Sequence, residues 1–206
     1  MVEEQLAARD ISDPEVLSVM RRTPRHLFVD ESLKDRAYWD GPLPIGHGQT
    51  ISQPYIVALM TQALALKKSD RVLEVGSGCA YQTAILAALS GEVCAVERIP
   101  ALFEKGRANL KHLGVRNVRL KLGDGTLGWE ELAPFDAILV AAYSGDVPEA
   151  LRRQLAYGGR LVIPLGDGSS QLLALYSKSP QGSVTRKTIA ACRFVPLIRG
   201  RGAEGA

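Results

Sequence analysis

Between positions 71 and 165 the chain alternates short apolar runs with stretches of helical periodicity. Runs at 71–75, 92–97, 117–122, 135–142 and 160–165 read as strands, and those at 81–89, 100–113 and 148–156 read as helices. Parallel strands need a long crossover between them, and a helix supplies it. The alternation therefore predicts an α/β fold: a doubly wound, mostly parallel sheet covered on both faces, Rossmann-like in plan. Gly114 is placed to close the helix over 100–113. Runs at 172–177 and 188–197 read as further strands, an antiparallel addition at the sheet edge.

Ahead of this core the chain is expected to be helical to about position 40. Asp13 is placed as an N-cap, with Pro14 at the first helical position and Pro24 as a stop. A Gly/Pro-rich loop over 41–48 follows, and then Ile56, Leu59, Met60, Ala63 and Leu64 recur at helical spacing over 53–66. The 206 residues suit one domain: a helical cap over substrate and cofactor at 1–66, a cofactor core with C-terminal strands at 67–198, and a flexible tail at 199–206.

Charge and cysteine usage exclude several classes. Lys and Arg exceed Asp and Glu by only 25 to 22, and the basic residues are scattered apart from Arg193, Arg199 and Arg201, which read as a solvated tail. No nucleic-acid partner is expected from this balance. No run nears the roughly 20 apolar residues that span a bilayer, and the first ten positions have no apolar signal core, so a membrane location and secretion are not expected. Cys79, Cys94 and Cys192 form no CxxC pair and suit a reducing, cytoplasmic setting as small buried side chains. His26, His47 and His112 lack metal-ligand spacing, so no metal centre is expected.

Ligands of doubly wound sheets bind at the carboxyl ends of the strands. The first core strand ends in Glu74-Val75-Gly76-Ser77-Gly78-Cys79-Ala80-Tyr81. A dinucleotide turn needs a third glycine where Tyr81 stands. An acidic residue followed by G-x-G-x-G resembles the turn of methyltransferases that use S-adenosyl-L-methionine, with Ala80 in place of the last glycine. Glu97 ends the second strand, where a carboxylate can accept from both ribose hydroxyls. Gly123-Asp124-Gly125 follows the third, where Asp124 can accept from the adenine amino group. Taken singly these are a glycine turn, a surface charge and a turn residue; at three successive strand ends they point to a nucleoside-containing cofactor.

Other pieces carry a sharper resemblance. Pro24-Arg25-His26-Leu27-Phe28-Val29, Leu43-Pro44-Ile45-Gly46, Gly48-Gln49-Thr50-Ile51-Ser52-Gln53-Pro54, Ala133-Pro134-Phe135-Asp136, Gly158-Gly159-Arg160-Leu161-Val162-Ile163-Pro164 and Phe194-Val195-Pro196-Leu197 run in the order seen in the protein-L-isoaspartate O-methyltransferase family. The chain resembles that family over about 20–198, most specifically at Gly48 to Pro54. The resemblance implies methyl transfer from S-adenosyl-L-methionine to the α-carboxylate of L-isoaspartyl residues in damaged proteins and peptides, with S-adenosylhomocysteine as product. It places Gln49, Thr50, Ile51, Glu74, Gly76, Ser77, Gly78, Glu97, Asp124 and Gly125 at the cofactor. Ser52 falls on the active-site serine, and Val195, Pro196 and Leu197 fall on the peptide groove.

The chemistry agrees with this set. A free α-carboxylate, with a reference pKa near ~3.5, is already ionised at neutral pH and needs no general base. A hydroxyl such as that of Ser52 orients it without the clamp of a strong ion pair. Ser52 lacks the G-x-S-x-G elbow of a hydrolase nucleophile. Two departures from the family pattern stand out: Ala80, and Tyr143 after the fourth strand, where a bulky side chain could narrow the acceptor pocket. A small-molecule or RNA acceptor is the alternative for the same methyltransferase core, and a binding module without catalysis is the alternative from another class.

Overall fold

The computed structural model describes residues 1–200; the end of the expected tail, with Arg201, lies outside the described residues. A short hairpin, β1 (Leu43–Gly46) and β2 (Gln49–Ile51), precedes the main sheet. That sheet comprises β3 (Arg71–Val75), β4 (Glu92–Glu97), β5 (Val118–Leu122), β6 (Phe135–Val140), β7 (Leu155–Gly166), β8 (Gln171–Lys178) and β9 (Val184–Cys192). Their order is β5-β4-β3-β6-β7-β8-β9, parallel from β5 to β7 and antiparallel for β8 and β9. The order reverses between β3 and β6, which sets the switch point where a ligand crevice opens.

The strands beside that point are buried on both faces. Val72, Leu73 and Val75 of β3 and Ala137 to Val140 of β6 are shut off from solvent, as a doubly covered parallel sheet requires. The helices are α1 (Pro14–Arg22), α2 (Pro54–Leu64), α3 (Tyr81–Leu89), α4 (Pro100–His112) and α5 (Glu149–Gln154). α3 is apolar nearly all round because α1 packs on its far side. Asp13 caps α1 as expected, its Oδ1 accepting from the Glu15 and Val16 amides at 2.9 and 3.2 Å, a contact worth about 1 kcal/mol. Gly114, at φ 67°, ends α4 by donating to the Lys111 carbonyl. No helix among the described residues is long and apolar enough to cross a membrane.

Three expectations are corrected. The stretch over 41–48 is a bulged hairpin, with Gly46, His47 and Gly48 all at positive φ; its prolines and glycines mask the short strands. The helix over 148–156 stops at Gln154, and β7 begins at Leu155. Leu155 already pairs with Phe135 before the register shifts, and Gly159 has no room for a side chain against the Ala156 carbonyl. The last strand ends at Cys192, ahead of the expected 197. The Gln171 side chain takes over the backbone of Phe194, and Pro196 has no N–H to continue a ladder.

Candidate active site

A cavity opens at the carboxyl ends of β3, β4 and β6. Beyond Val75 the backbone turns through Gly76 (φ 86°), Gly78 (φ 54°) and Ala80 (φ 68°) into α3. The Gly78 amide donates to Glu97 Oε2 at 2.8 Å, and Glu97 Oε1 accepts from the Arg98 and Ile99 amides at 2.8 and 2.9 Å. The carboxylate at the tip of β4 thus holds the glycine turn at the tip of β3. Three of its about four lone-pair directions are taken, leaving room for one direct donor where the sequence reading expects two. Gly125 closes the floor: a Cβ there would lie 2.4 Å from Val75 Cγ1.

The hairpin brings the second wall. Gln49, Thr50, Ile51 and Ser52 face the cavity opposite Gly76, Ser77, Gly78, Glu97 and Gly125. The Ser52 side chain is half-buried and its hydroxyl makes no hydrogen bond among the described residues. Val195, Pro196 and Leu197 complete the rim. A second groove shares Thr50, Ser52, Ala141 and Val195 with the cavity and runs on past Gln53, Ile56 and Cys192 to Phe194. Of the three residues expected in the peptide groove, Val195 reaches both depressions; Pro196 and Leu197 face the first.

Two expected residues do not line the cavity. Glu74 is fully buried in β3, and neither carboxylate oxygen has a hydrogen-bond partner of good geometry. Burial pushes its carboxyl up to about 8; the Thr83 hydroxyl offsets part of that, and Glu97 adds to it. Asp124 caps the turn after β5, its Oδ1 accepting from the Thr126 amide and hydroxyl at 2.8 and 2.7 Å and its Oδ2 from the Gly200 amide at 2.7 Å. Burial opposes its ionisation, but the Gly200 and Thr126 hydrogen bonds outweigh that and hold it below the usual carboxylate range. The carboxylate expected to accept from an adenine amino group already accepts from two backbone amides and a hydroxyl of its own chain.

Tyr143 stays out of both depressions. Its backbone pairs with Val195 and Leu197 at 2.8 and 2.7 Å, and its hydroxyl lies beside Gly168, so it holds the rim rather than narrowing the acceptor space. Sequence reasoning missed other lining residues: Ile99 and Leu102 entering α4, Tyr81 and Gln82 opening α3, and Ala141 and Ala142 at the tip of β6. Small residues at a strand's carboxyl end were the available signal for the alanines. It also missed Gln171, whose amide donates to the Phe194 carbonyl at 3.2 Å and accepts its N–H at 2.7 Å.

Crevices at a switch point of this kind take nucleotides or nucleosides. The buried Tyr81, packed edge-on against Phe28 with Arg25 over its ring, fills the place of a dinucleotide turn's third glycine. The residues present fit S-adenosyl-L-methionine, the donor of a class of methyltransferases: a glycine cradle, a carboxylate and a floor with no side chain. The family model described as Protein-L-isoaspartate(D-aspartate) O-methyltransferase (PCMT) matches residues 1–202. The chain belongs to this family. It is 55% identical to a protein-L-isoaspartate O-methyltransferase of Trichlorobacter lovleyi, over 98% of this chain and 93% of the relative. It is 52% identical to one of Geobacter metallireducens, over 96% and 92%. A Plasmodium falciparum PCMT crystallised with S-adenosyl-L-homocysteine superposes with a TM-score of 0.83 at 29% identity, covering 96% of each chain.

Proposed function

We propose that this chain methylates the α-carboxylate of L-isoaspartyl residues in damaged proteins and peptides, the first step of their return to aspartyl. When bound, S-adenosyl-L-methionine supplies a methyl carbon made electrophilic by its sulfonium, and S-adenosylhomocysteine remains. The observation that carries the reading is the double exposure of the Thr50–Ser52 stretch: Thr50 and Ser52 face the glycine-turn cavity on one side and the open groove on the other.

In this reading Gly76, Ser77, Gly78, Glu97 and Gly125 hold the donor, with Gln49, Thr50 and Ile51 across from them. Glu74 and Asp124 act from beneath and beside it, by shaping the β3 tip and the turn after β5. Ser52 donates its hydroxyl to the acceptor carboxylate and aims it. No proton has to move, because the acceptor is already anionic. Among the described residues, the groove past Ile56 to Phe194 carries no carboxylate side chain that would repel it. Unpaired thiols at Cys79, Cys94 and Cys192 support a reducing, cytoplasmic setting.

The test is label transfer from S-adenosyl-L-[methyl-³H]methionine to an isoaspartyl peptide and to its aspartyl twin, with bulk RNA as a third acceptor. Label in the isoaspartyl peptide alone is expected. Equal labelling of both peptides, or label in RNA alone, would overturn the reading.

A further inference from the structure

We infer that Arg193 makes this enzyme favour isoaspartyl sites that have an acidic side chain within two residues. The inference rests on the acceptor reading of the groove.

Arg193 leaves the end of β9 exposed on the groove wall. Elsewhere Arg71, Arg119, Arg152 and Arg160 are paired with carboxylates. Among the described residues Arg193 makes no ion pair or hydrogen bond, and none of those lining the groove is a carboxylate that could take it up. Its neighbour Phe194 is fixed by both amide atoms of Gln171, and Val195 by the Tyr143 amide. Arg193 therefore stands on a fixed base in the wall of the groove that also holds Ser52. A guanidinium pairs with a carboxylate through two parallel hydrogen bonds, which makes an acidic residue the best-matched occupant.

The carboxylate it reads is not the one being methylated. A tight ion pair there would quench the nucleophile, and Ser52 already stands at the cavity, whereas Arg193 lines only the outer groove. The pair is solvent-exposed, so the expected preference is modest, about 3- to 5-fold.

The experiment uses the full chain and isoaspartyl hexapeptides with Glu, Gln or Lys at each position within two residues of the isoaspartate. Initial rates give KM and kcat, and fluorescence anisotropy of labelled peptides with S-adenosylhomocysteine present gives Kd at low and at high salt. The expected result, at one position or more, is a KM and Kd for the Glu peptide about 3- to 5-fold below its Gln twin, with the Lys peptide weaker still and kcat alike. High salt should erase the difference. Arg193→Gln should draw the three peptides together, and Arg193→Glu should reverse their order. If the Gln peptides are methylated but flanking charge has no effect at any position, or if the preference survives Arg193→Gln, this inference is wrong and the activity stands. If no isoaspartyl peptide is methylated, the activity itself is misassigned and the inference falls with it.

Discussion

A Cβ placed on Gly106 would lie 3.2 Å from the Cβ of Ala80, which itself occupies left-handed backbone at φ 68°. The two positions are complementary: α4 gives up a methyl where the turn into α3 carries one. Left-handed backbone costs an alanine about 1–2 kcal/mol, but its buried methyl returns about 0.8 kcal/mol. Ala80→Gly should therefore change stability by no more than about 1 kcal/mol. Gly106→Ala gains helix propensity but crowds Ala80 and the Gly78 carbonyl, 3.1 Å away, with a net loss of about 1 kcal/mol. Urea unfolding of the double variant should recover about 0.5 kcal/mol or more of that loss. Strict additivity would show that the two sites do not touch.

Ser52→Ala removes the hydroxyl proposed to orient the acceptor carboxylate. Turnover on an isoaspartyl peptide should fall about tenfold, the rate equivalent of ~1.4 kcal/mol. The affinity for S-adenosylhomocysteine by calorimetry should change less than about threefold, since loss of a uniform binding contact would instead raise KM alone.

Glu97→Gln exchanges a carboxylate that accepts three backbone amides for a group with one acceptor oxygen. At least one of the Gly78, Arg98 and Ile99 amides loses its partner, so the glycine turn loosens. S-adenosylhomocysteine should bind more than tenfold more weakly, equivalent to about 1.4 kcal/mol or more. Unchanged binding by calorimetry would remove Glu97 from the donor site.

Glu74 makes stability depend on pH. Its folded carboxyl is raised to about 8 by burial, while an unfolded glutamate titrates near ~4.3. Between these values the folded state holds a proton that the unfolded state has released, so its contribution is full below about pH 4 and is lost as pH rises to about 8. The slope approaches about 1.4 kcal/mol per pH unit inside that window. Glu74→Gln should flatten this component, so its stability relative to the unmodified chain should rise from pH 5 to 8 in urea titrations. Parallel curves would show that the carboxyl is not buried neutral.

The core was legible because its signals are local and repeated. β3, β4 and β6, the turn at Gly76 and Gly78, and the caps at Asp13 and Gly114 each follow from period, glycine placement or capping chemistry. The hairpin at Leu43–Ile51 was hidden because its strands are short and carry Pro44. The loss of strand after Cys192 was hidden because it depends on Gln171, 23 residues before the Phe194 it holds. At the site, Asp124 illustrates the limit: its motif is plain, yet a contact 76 residues distant, from Gly200, takes up one of its oxygens. Tyr143 was misread for a related reason, since only the tertiary fold turns its ring toward Gly168.

Thr50, Ser52, Ala141 and Val195 form a party wall between the cavity and the groove. A tethered inhibitor can exploit such a partition from both sides. Under the proposed function, an adenosine joined by a short linker to an isoaspartyl dipeptide would lodge one end behind Ser52 and lay the other along Ile56. Its second end would then engage at the high effective concentration set by the tether, without a separate encounter.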